Sequence, residues 1–221
     1  MESMPSGSVS LDVMRKELYT AVVSDVLDQR GYRRQVLPPY IRPMGGHREF
    51  VGRACPVLVV ETFEMPAHPY FKLIETLDSL QEGEVFITNR LSDRAAFWGE
   101  LLSNVCVQHG VVGAVIDGLG RDVRRVEPLG FPVFSRGTSP VDSRGRFEVF
   151  ASRQPIECGG VPVTPGDLVM ADEDGVVIVP QSIEDVVVAD ALAKAHGENA
   201  VRDGIRQGRS LGELFDAYGV L

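Results

Sequence analysis

Residues 111–117, VVGAVID, form a short run rich in valine and isoleucine. A strand buried on both faces has this composition. The run constrains the chain more than any other segment, because its neighbours have to fold around it. Ahead of it, Leu101, Leu102, Val105 and Cys106 recur at helical spacing. Gly110, after His109, suits the left-handed residue that ends a helix. From Glu100 to His109 such a helix rises roughly 15 Å. A strand that reverses at Gly110 travels back roughly 20 Å. The glycine-rich loop DGLGRD then arrives beside the helix start.

This order places chemistry at one spot. The first N–H groups of the helix, those of Glu100, Leu101 and Leu102, lack intrahelical partners and favour an anion. Arg121 adds a planar, permanently charged fork for a carboxylate or phosphate. Asp122 supplies a hard oxygen ligand of the kind magnesium takes, and Glu100 is a second carboxylate nearby. An Arg-Asp pair after a strand is also the pattern of a surface salt bridge, which is the commoner case. Gly118 and Gly120 complete no GxGxxG, and no GK[ST] follows, so neither nucleotide fingerprint is present.

Composition narrows the class. The 221 residues carry 31 acidic and 22 basic side chains, a net charge of −9. Such a balance disfavours general nucleic-acid binding. No apolar run approaches the roughly 20 residues that span a bilayer, so no membrane association is expected. The start MESMPSGSVS lacks a basic segment followed by an apolar core, the mark of a secretory signal. Cys55, Cys106 and Cys158 are widely spaced and read as free thiols in a reducing cytoplasm.

Along the chain, residues 1–9 read as a flexible leader. Apolar steps of three and four predict one amphipathic helix over 11–29, stopped by Gly31. Residues 35–48 are loop, rich in proline and glycine. Val51–Glu61 is a strand that Pro56 is expected to interrupt. A helix opened by Pro69 covers 68–80, and 84–88 is a strand. Further strands are expected at 131–134, 146–151 and 157–163. PGDLVMADEDGVVIVP (165–180) reads as a β-hairpin turning at Asp172, Asp174 and Gly175. A long helix starts near Ser182 and is weakened by Gly197 and Gly204, and Ser210 caps a last helix ending at Tyr218. A strand-rich middle flanked by helices argues for one α/β domain over 10–181. The helices of 182–221 carry too few large apolar residues for a core of their own and are expected to reach a neighbouring subunit.

Other constellations fail. His47, His68, His109 and His196 match no zinc spacing. The acidic turn at 172–175 is too short for an EF-hand. No serine sits in GxSxG, and the sparse aromatic residues are not interleaved with basic ones as in a single-strand nucleic-acid platform.

WGELL followed about twenty residues later by DGLGRD resembles the class II pyruvate aldolases of the 4-hydroxy-4-methyl-2-oxoglutarate / 4-carboxy-4-hydroxy-2-oxoadipate type. These share a fold with the regulator of ribonuclease activity A family. SDVLDQRGY, PVFSRGTSP, the hairpin segment and the tail KAHGENAVRDGIRQGRSLGELFDAYG look like further signatures, so the resemblance spans nearly the whole chain. It implies a single-domain swivelling β/β/α-type layered fold with a C-terminal helical extension. It also implies that Asp122 holds Mg²⁺ or Mn²⁺, mostly through waters, and that Arg121 binds the pyruvyl oxygens and the enolate. The Leu101 and Leu102 N–H groups would hold the pyruvate carboxylate. Glu198 of an adjacent subunit would join Glu100 in orienting a water on the metal, in a homotrimer or homohexamer.

The activity implied is metal-dependent cleavage of 4-hydroxy-2-oxo acids to pyruvate and a second keto acid, with oxaloacetate decarboxylation through the same enolate. Such chemistry belongs to aromatic degradation. A cation and a guanidinium stabilise the enolate charge, so neither Lys72 nor Lys194 is needed as a Schiff base. Two rival readings stand beside it: a lyase or decarboxylase acting on another keto or aromatic-derived acid, and a non-catalytic binding protein like the ribonuclease regulators. Two departures bear on them. Arg125 stands where many relatives have an acid, and EMPAHPYF (64–71) replaces an Asp-Asn pair, which puts His68 near a candidate specificity segment.

Overall fold

The computed structural model of the chain describes residues 9–219. The leader expected over 1–9 therefore lies outside the described residues except for Val9. The N-terminal helical pattern is divided into α1 (Leu11–Glu17) and α2 (Thr20–Gln29), with Leu18 and Tyr19 extended between them. The break has a tertiary cause. Asp172 accepts the Thr20 backbone N–H at 2.7 Å and the Thr20 hydroxyl at 2.6 Å. It thereby caps α2 from a distant hairpin, and this anchor overrides the continuous periodicity.

After β1 (Arg42–Pro43) comes β2 (Phe50–Glu61), which is unbroken at Pro56. Pro56 stays in register opposite Ile87, and its carbonyl accepts from the Arg153 N–H at 2.8 Å. α3 covers only Phe71–Asp78, because Tyr70 takes a left-handed conformation at φ 66° and starts the helix late. Then follow β3 (Glu84–Thr88), β4 (Ala96–Trp98), α4 (Glu100–Gln108), β5 (Gly113–Gly120) and the single turn α5 (Val123–Val126). β6 (Val133–Thr138) and β7 (Phe147–Ser152) lead to a hairpin of β8 (Ile156–Cys158) and β9 (Val161–Val163). That hairpin splits the single strand expected at 157–163. Gly159 and Gly160, at φ 56° and 82°, make the two-residue turn that splits it. β10 (Leu168–Asp172) and β11 (Gly175–Val179) form the expected hairpin. α6 (Glu184–Arg206) and α7 (Leu211–Tyr218) close the chain.

Among the described residues, nine strands form one sheet. Its order is β1-β6-β5-β3-β2-β10-β11, with β4 added on β5 and β7 on β2. β2, β3, β5 and β6 run parallel, and the other pairings along the order are antiparallel. The period-2 alternation of β2 and β3 decides which face each residue serves. Cys55, Val57 and Phe86 pack under α3 and α4, whereas Ala54, Val85 and Ile87 pack under the β8–β9 hairpin. Full burial of a side chain such as Val57, Val85, Phe86 or Ile87 contributes about 1.5–3 kcal/mol. A third core joins α1, α2 and α6 to β10 and β11. The result is the α/β fold in β/β/α layers with a helical C-terminal extension.

The tail is secured to its own chain. α6 runs unbroken through Gly197 and Gly204, against the weakening expected there. Ser210 and Glu213 form a capping box at the start of α7. The bare Cα of Gly204 lets the fully buried Leu214 seat α7 on α6.

Candidate active site

The start of α4 is built on Trp98. Its ring is fully buried, 4.9 Å from the Phe86 ring. Its indole N–H donates to Ser103 Oγ at 2.9 Å, and the Ser103 hydroxyl donates to the Gly99 carbonyl at 3.1 Å. These two bonds fix the first turn. Gly99 is extended, and a Cβ there would lie 2.7 Å from Asp122 Oδ2 and 3.2 Å from Arg121 Cγ. The missing side chain is what allows the segment after β5 to close on the helix.

That segment is not the loop that DGLGRD suggests. β5 continues through Gly118 to Gly120, pairing with β4 and β6. The glycines serve close approach. A Cβ on Gly118 would come within 3.0 Å of Leu91, and one on Gly120 would collide with the Met44 sulfur. The Arg121 N–H donates to the Trp98 carbonyl at 2.9 Å and brings the next residue to the helix start. Asp122 then turns left-handed at φ 61°. Its carbonyl accepts the Arg125 N–H at 2.7 Å, while its side-chain Oδ2 accepts the Glu100 N–H at 3.3 Å. Of the three N–H groups expected to be free, that of Glu100 is therefore taken. The N–H groups of Leu101 and Leu102 have no acceptor among the described residues.

Arg121 is held by two carboxylates. Its Nε lies 3.4 Å from Asp122 Oδ2 and its Nη1 lies 2.9 Å from Asp142 Oδ1. Asp142 also accepts the Tyr70 hydroxyl at 3.2 Å. Burial, and then the Asp142 charge, pushes the Tyr70 phenol above its usual pKa. The Glu100 carboxylate accepts the Asn104 amide at 2.7 Å and pairs with no arginine among the described residues. All of these groups except Asn104 line one cavity of about 440 Å³. Leu73, Ile74, Leu77 and Phe97 give it an apolar wall, and Arg125 also lines it.

A family model described as RraA-like, aldolase/RraA, matches residues 20–178. The chain belongs to the RraA-like family. A protein of Halalkalibacterium halodurans named "Putative 4-hydroxy-4-methyl-2-oxoglutarate aldolase" is 28% identical over 198 residues, covering 89% of both proteins. The 4-hydroxy-4-methyl-2-oxoglutarate aldolase of Thermus thermophilus is 29% identical over 66% of this chain and 85% of its own length. Among solved structures, Streptomyces coelicolor RraAS2 superposes with a TM-score of 0.77. It is 27% identical, with 90% of this chain and 99% of that one covered, and is described as an unusual member of the RNase ES inhibitor RraA protein family.

In this RraA-like chain, Glu100, Leu101, Leu102, Arg121 and Asp122 meet around one cavity, and Glu198 does not join them. Glu198 sits on α6, accepts the Tyr19 hydroxyl, and lines a separate cavity of about 340 Å³ with Asp25 and Arg202. Of the segment 64–71, only Tyr70 lines the main cavity, and His68 contributes a backbone carbonyl to the start of α3. Lys72 and Lys194 lie outside it and are bonded to the Phe150 carbonyl and to Asp25. Sequence reading missed Asp142 and Asn104, and it pointed to Tyr70 only through the segment 64–71. Asp142 lies in an irregular stretch with no motif spacing, and only its place beside turn residues marks it. Among the described residues, no helix is long and apolar enough to cross a membrane.

Proposed function

We propose that the chain is a divalent-metal-dependent lyase that cleaves 4-hydroxy-2-oxo acids to pyruvate and a second keto acid. The observation that carries this reading is the cavity itself. It joins two N–H groups without a partner among the described residues, at the start of a nine-residue helix, to a guanidinium held between two carboxylates. The Leu101 and Leu102 N–H groups suit a carboxylate, and Arg121 suits the keto oxygen beside it.

In the reaction, the C4 hydroxyl gives up its proton and the C3–C4 bond breaks. C4 leaves as a carbonyl, and the bonding pair remains on C3 as pyruvate enolate. A proton returned to C3 yields pyruvate. Loss of CO₂ from oxaloacetate leaves the same enolate, so the protein should also decarboxylate oxaloacetate. Arg121 is oriented before the charge develops, which is where such stabilisation is worth most. Glu100 is the cavity carboxylate that pairs with no arginine among the described residues, and it is the group suited to holding the C4 hydroxyl proton.

The residues fit a largely hydrated cation. Among the described residues, no group of three or more His, Cys, Asp or Glu forms a cage. Asp122 spends Oδ2 on Glu100 and Arg121, which leaves Oδ1 as a ligand atom. Magnesium keeps several waters and accepts one or two carboxylates, so Asp122 would hold Mg²⁺ or Mn²⁺. When bound, the cation would supply Lewis-acid stabilisation of the enolate. Glu198 would reach this cavity only from a second copy, within a homotrimer or homohexamer.

Pyruvate release from 4-hydroxy-4-methyl-2-oxoglutarate and from oxaloacetate, coupled to NADH oxidation, tests the proposal. EDTA should abolish it, Mg²⁺ should restore it, and Asp122→Asn should nearly eliminate it. Turnover that persists in metal-free protein would overturn the metal-dependent mechanism. The likeness to RraAS2 favours a second reading, a binding protein for a ribonuclease. Capture of a purified ribonuclease without turnover of any keto acid would select it.

A further inference from the structure

Arg125 has no ion pair or side-chain hydrogen bond among the described residues, yet it lines the cavity that holds Arg121. The two arginines differ in their commitments. Arg121 faces Asp122 and Asp142, so its charge is largely matched within the protein. Arg125 is exposed and its guanidinium is uncommitted. Its backbone is not free to wander, because its N–H donates to the Asp122 carbonyl at 2.7 Å. Its Cα is therefore fixed one turn beyond the proposed metal ligand, and its side chain projects from a defined point on the cavity rim.

We infer that Arg125 binds the second carboxylate of the substrate and selects dicarboxylic over monocarboxylic 2-keto acids. The inference rests on the lyase reading of the same cavity. The start of α4 and Arg121 suit the 2-keto carboxylate end, and the wall of Leu73, Ile74, Leu77 and Phe97 offers no partner for a second anion. A carboxylate at the far end of the substrate would otherwise be desolvated against apolar surface, which is costly unless it is paired. An arginine offers it a bidentate fork.

The test compares isosteric pairs. 4-Hydroxy-4-methyl-2-oxoglutarate differs from 4-hydroxy-4-methyl-2-oxopentanoate only by a carboxylate in place of a methyl group. For the magnesium-loaded protein, the ratio of kcat/KM between them should fall about tenfold to a hundredfold in Arg125→Gln, mostly through KM, as expected for a lost charged hydrogen bond. Arg125→Lys should recover part of the ratio. Equal fractional losses on both substrates, or no loss, would overturn the inference. A second arm needs no turnover. Calorimetric affinities for 2-oxoglutarate and 2-oxopentanoate should favour the dicarboxylate, and Arg125→Gln should remove the preference. An absent preference, or no binding of either acid, overturns the role of Arg125. A clear preference without cleavage of any substrate keeps that role and overturns the lyase reading instead.

Discussion

Arg121 Nη1 stands 2.9 Å from Asp142 Oδ1, across 21 residues of chain. Asp142 is itself gripped by the Tyr70 hydroxyl at 3.2 Å and the Arg144 N–H at 3.3 Å. The carboxylate thus links the start of α3 to the guanidinium and fixes the fork on one side while Asp122 fixes it on the other. Asp142 is a positioning residue. Asp142→Ala should lower kcat/KM for pyruvate release about tenfold or more, the size of a lost hydrogen bond to a charged group. Asp142→Asn keeps an acceptor oxygen and should restore much of it. A pyruvate-coupled assay on both variants checks this, and equal defects in the two would contradict an orienting role.

Gly99 separates effects on the site from effects on the fold. Its backbone, at φ −163° and ψ −170°, is extended and open to any residue. The new Cβ of Gly99→Ala would meet Asp122 Oδ2 at 2.7 Å, so the carboxylate has to leave the Glu100 N–H. The expected outcome is a loss of activity comparable with that of Asp122→Asn, together with a melting temperature within a few degrees of the parent. A melting curve and an assay on the same preparation decide it. Full activity in this variant would show that the carboxylate does not need that position.

Much of this architecture was legible in the sequence, and the physical reasons are particular. The helix at 100–108, the turn at Gly110 and the return strand follow from periodicity and one left-handed glycine. Those local rules carry the convergence of Glu100 with Asp122. Features set by distant residues were not legible. The break at Leu18–Tyr19 depends on Asp172, which lies in another hairpin. The extension of β5 through Gly118 and Gly120 depends on Leu91 and Met44 filling the space over them. Asp142 belongs to the site only because β6 and β7 carry an irregular segment past Arg121. Glycine patterns indicate a permissive backbone, but they do not distinguish a loop from a strand packed too tightly for side chains.

The thiols give an independent check on the layers. Cys55, Cys106 and Cys158 are free and almost fully buried, in the cores on both faces of the sheet. Burial raises the Cys55 thiol to about 11 and the Cys106 thiol to about 12, and pushes Cys158 well up. Neither thiolate character nor access then favours attack of these cysteines on a disulfide reagent. Native protein at pH 8 should release almost no thionitrobenzoate, and guanidinium-unfolded protein should release three equivalents. Rapid labelling of native protein would mean that one of these layers opens.

Tyr19 and Glu198 tie the extended break between α1 and α2 to the long C-terminal helix through a hydroxyl–carboxylate bond. Burial first, and then the bond to Glu198, raises the Tyr19 phenol to about 12. A phenol whose folded pKa exceeds its unfolded value stabilises the fold fully below the unfolded value, and the contribution is lost as pH rises through the folded one. With an ordinary tyrosine near 10, the contribution should be intact at neutral pH and fade between about pH 10 and 12. Tyrosinate absorbance should show late-titrating components from Tyr19 and Tyr70 among the five tyrosines, and Tyr19→Phe should remove the Tyr19 share. The same variant should flatten the alkaline loss of stability over that window. An unchanged late component in Tyr19→Phe would mean that the hydroxyl does not face Glu198 in solution.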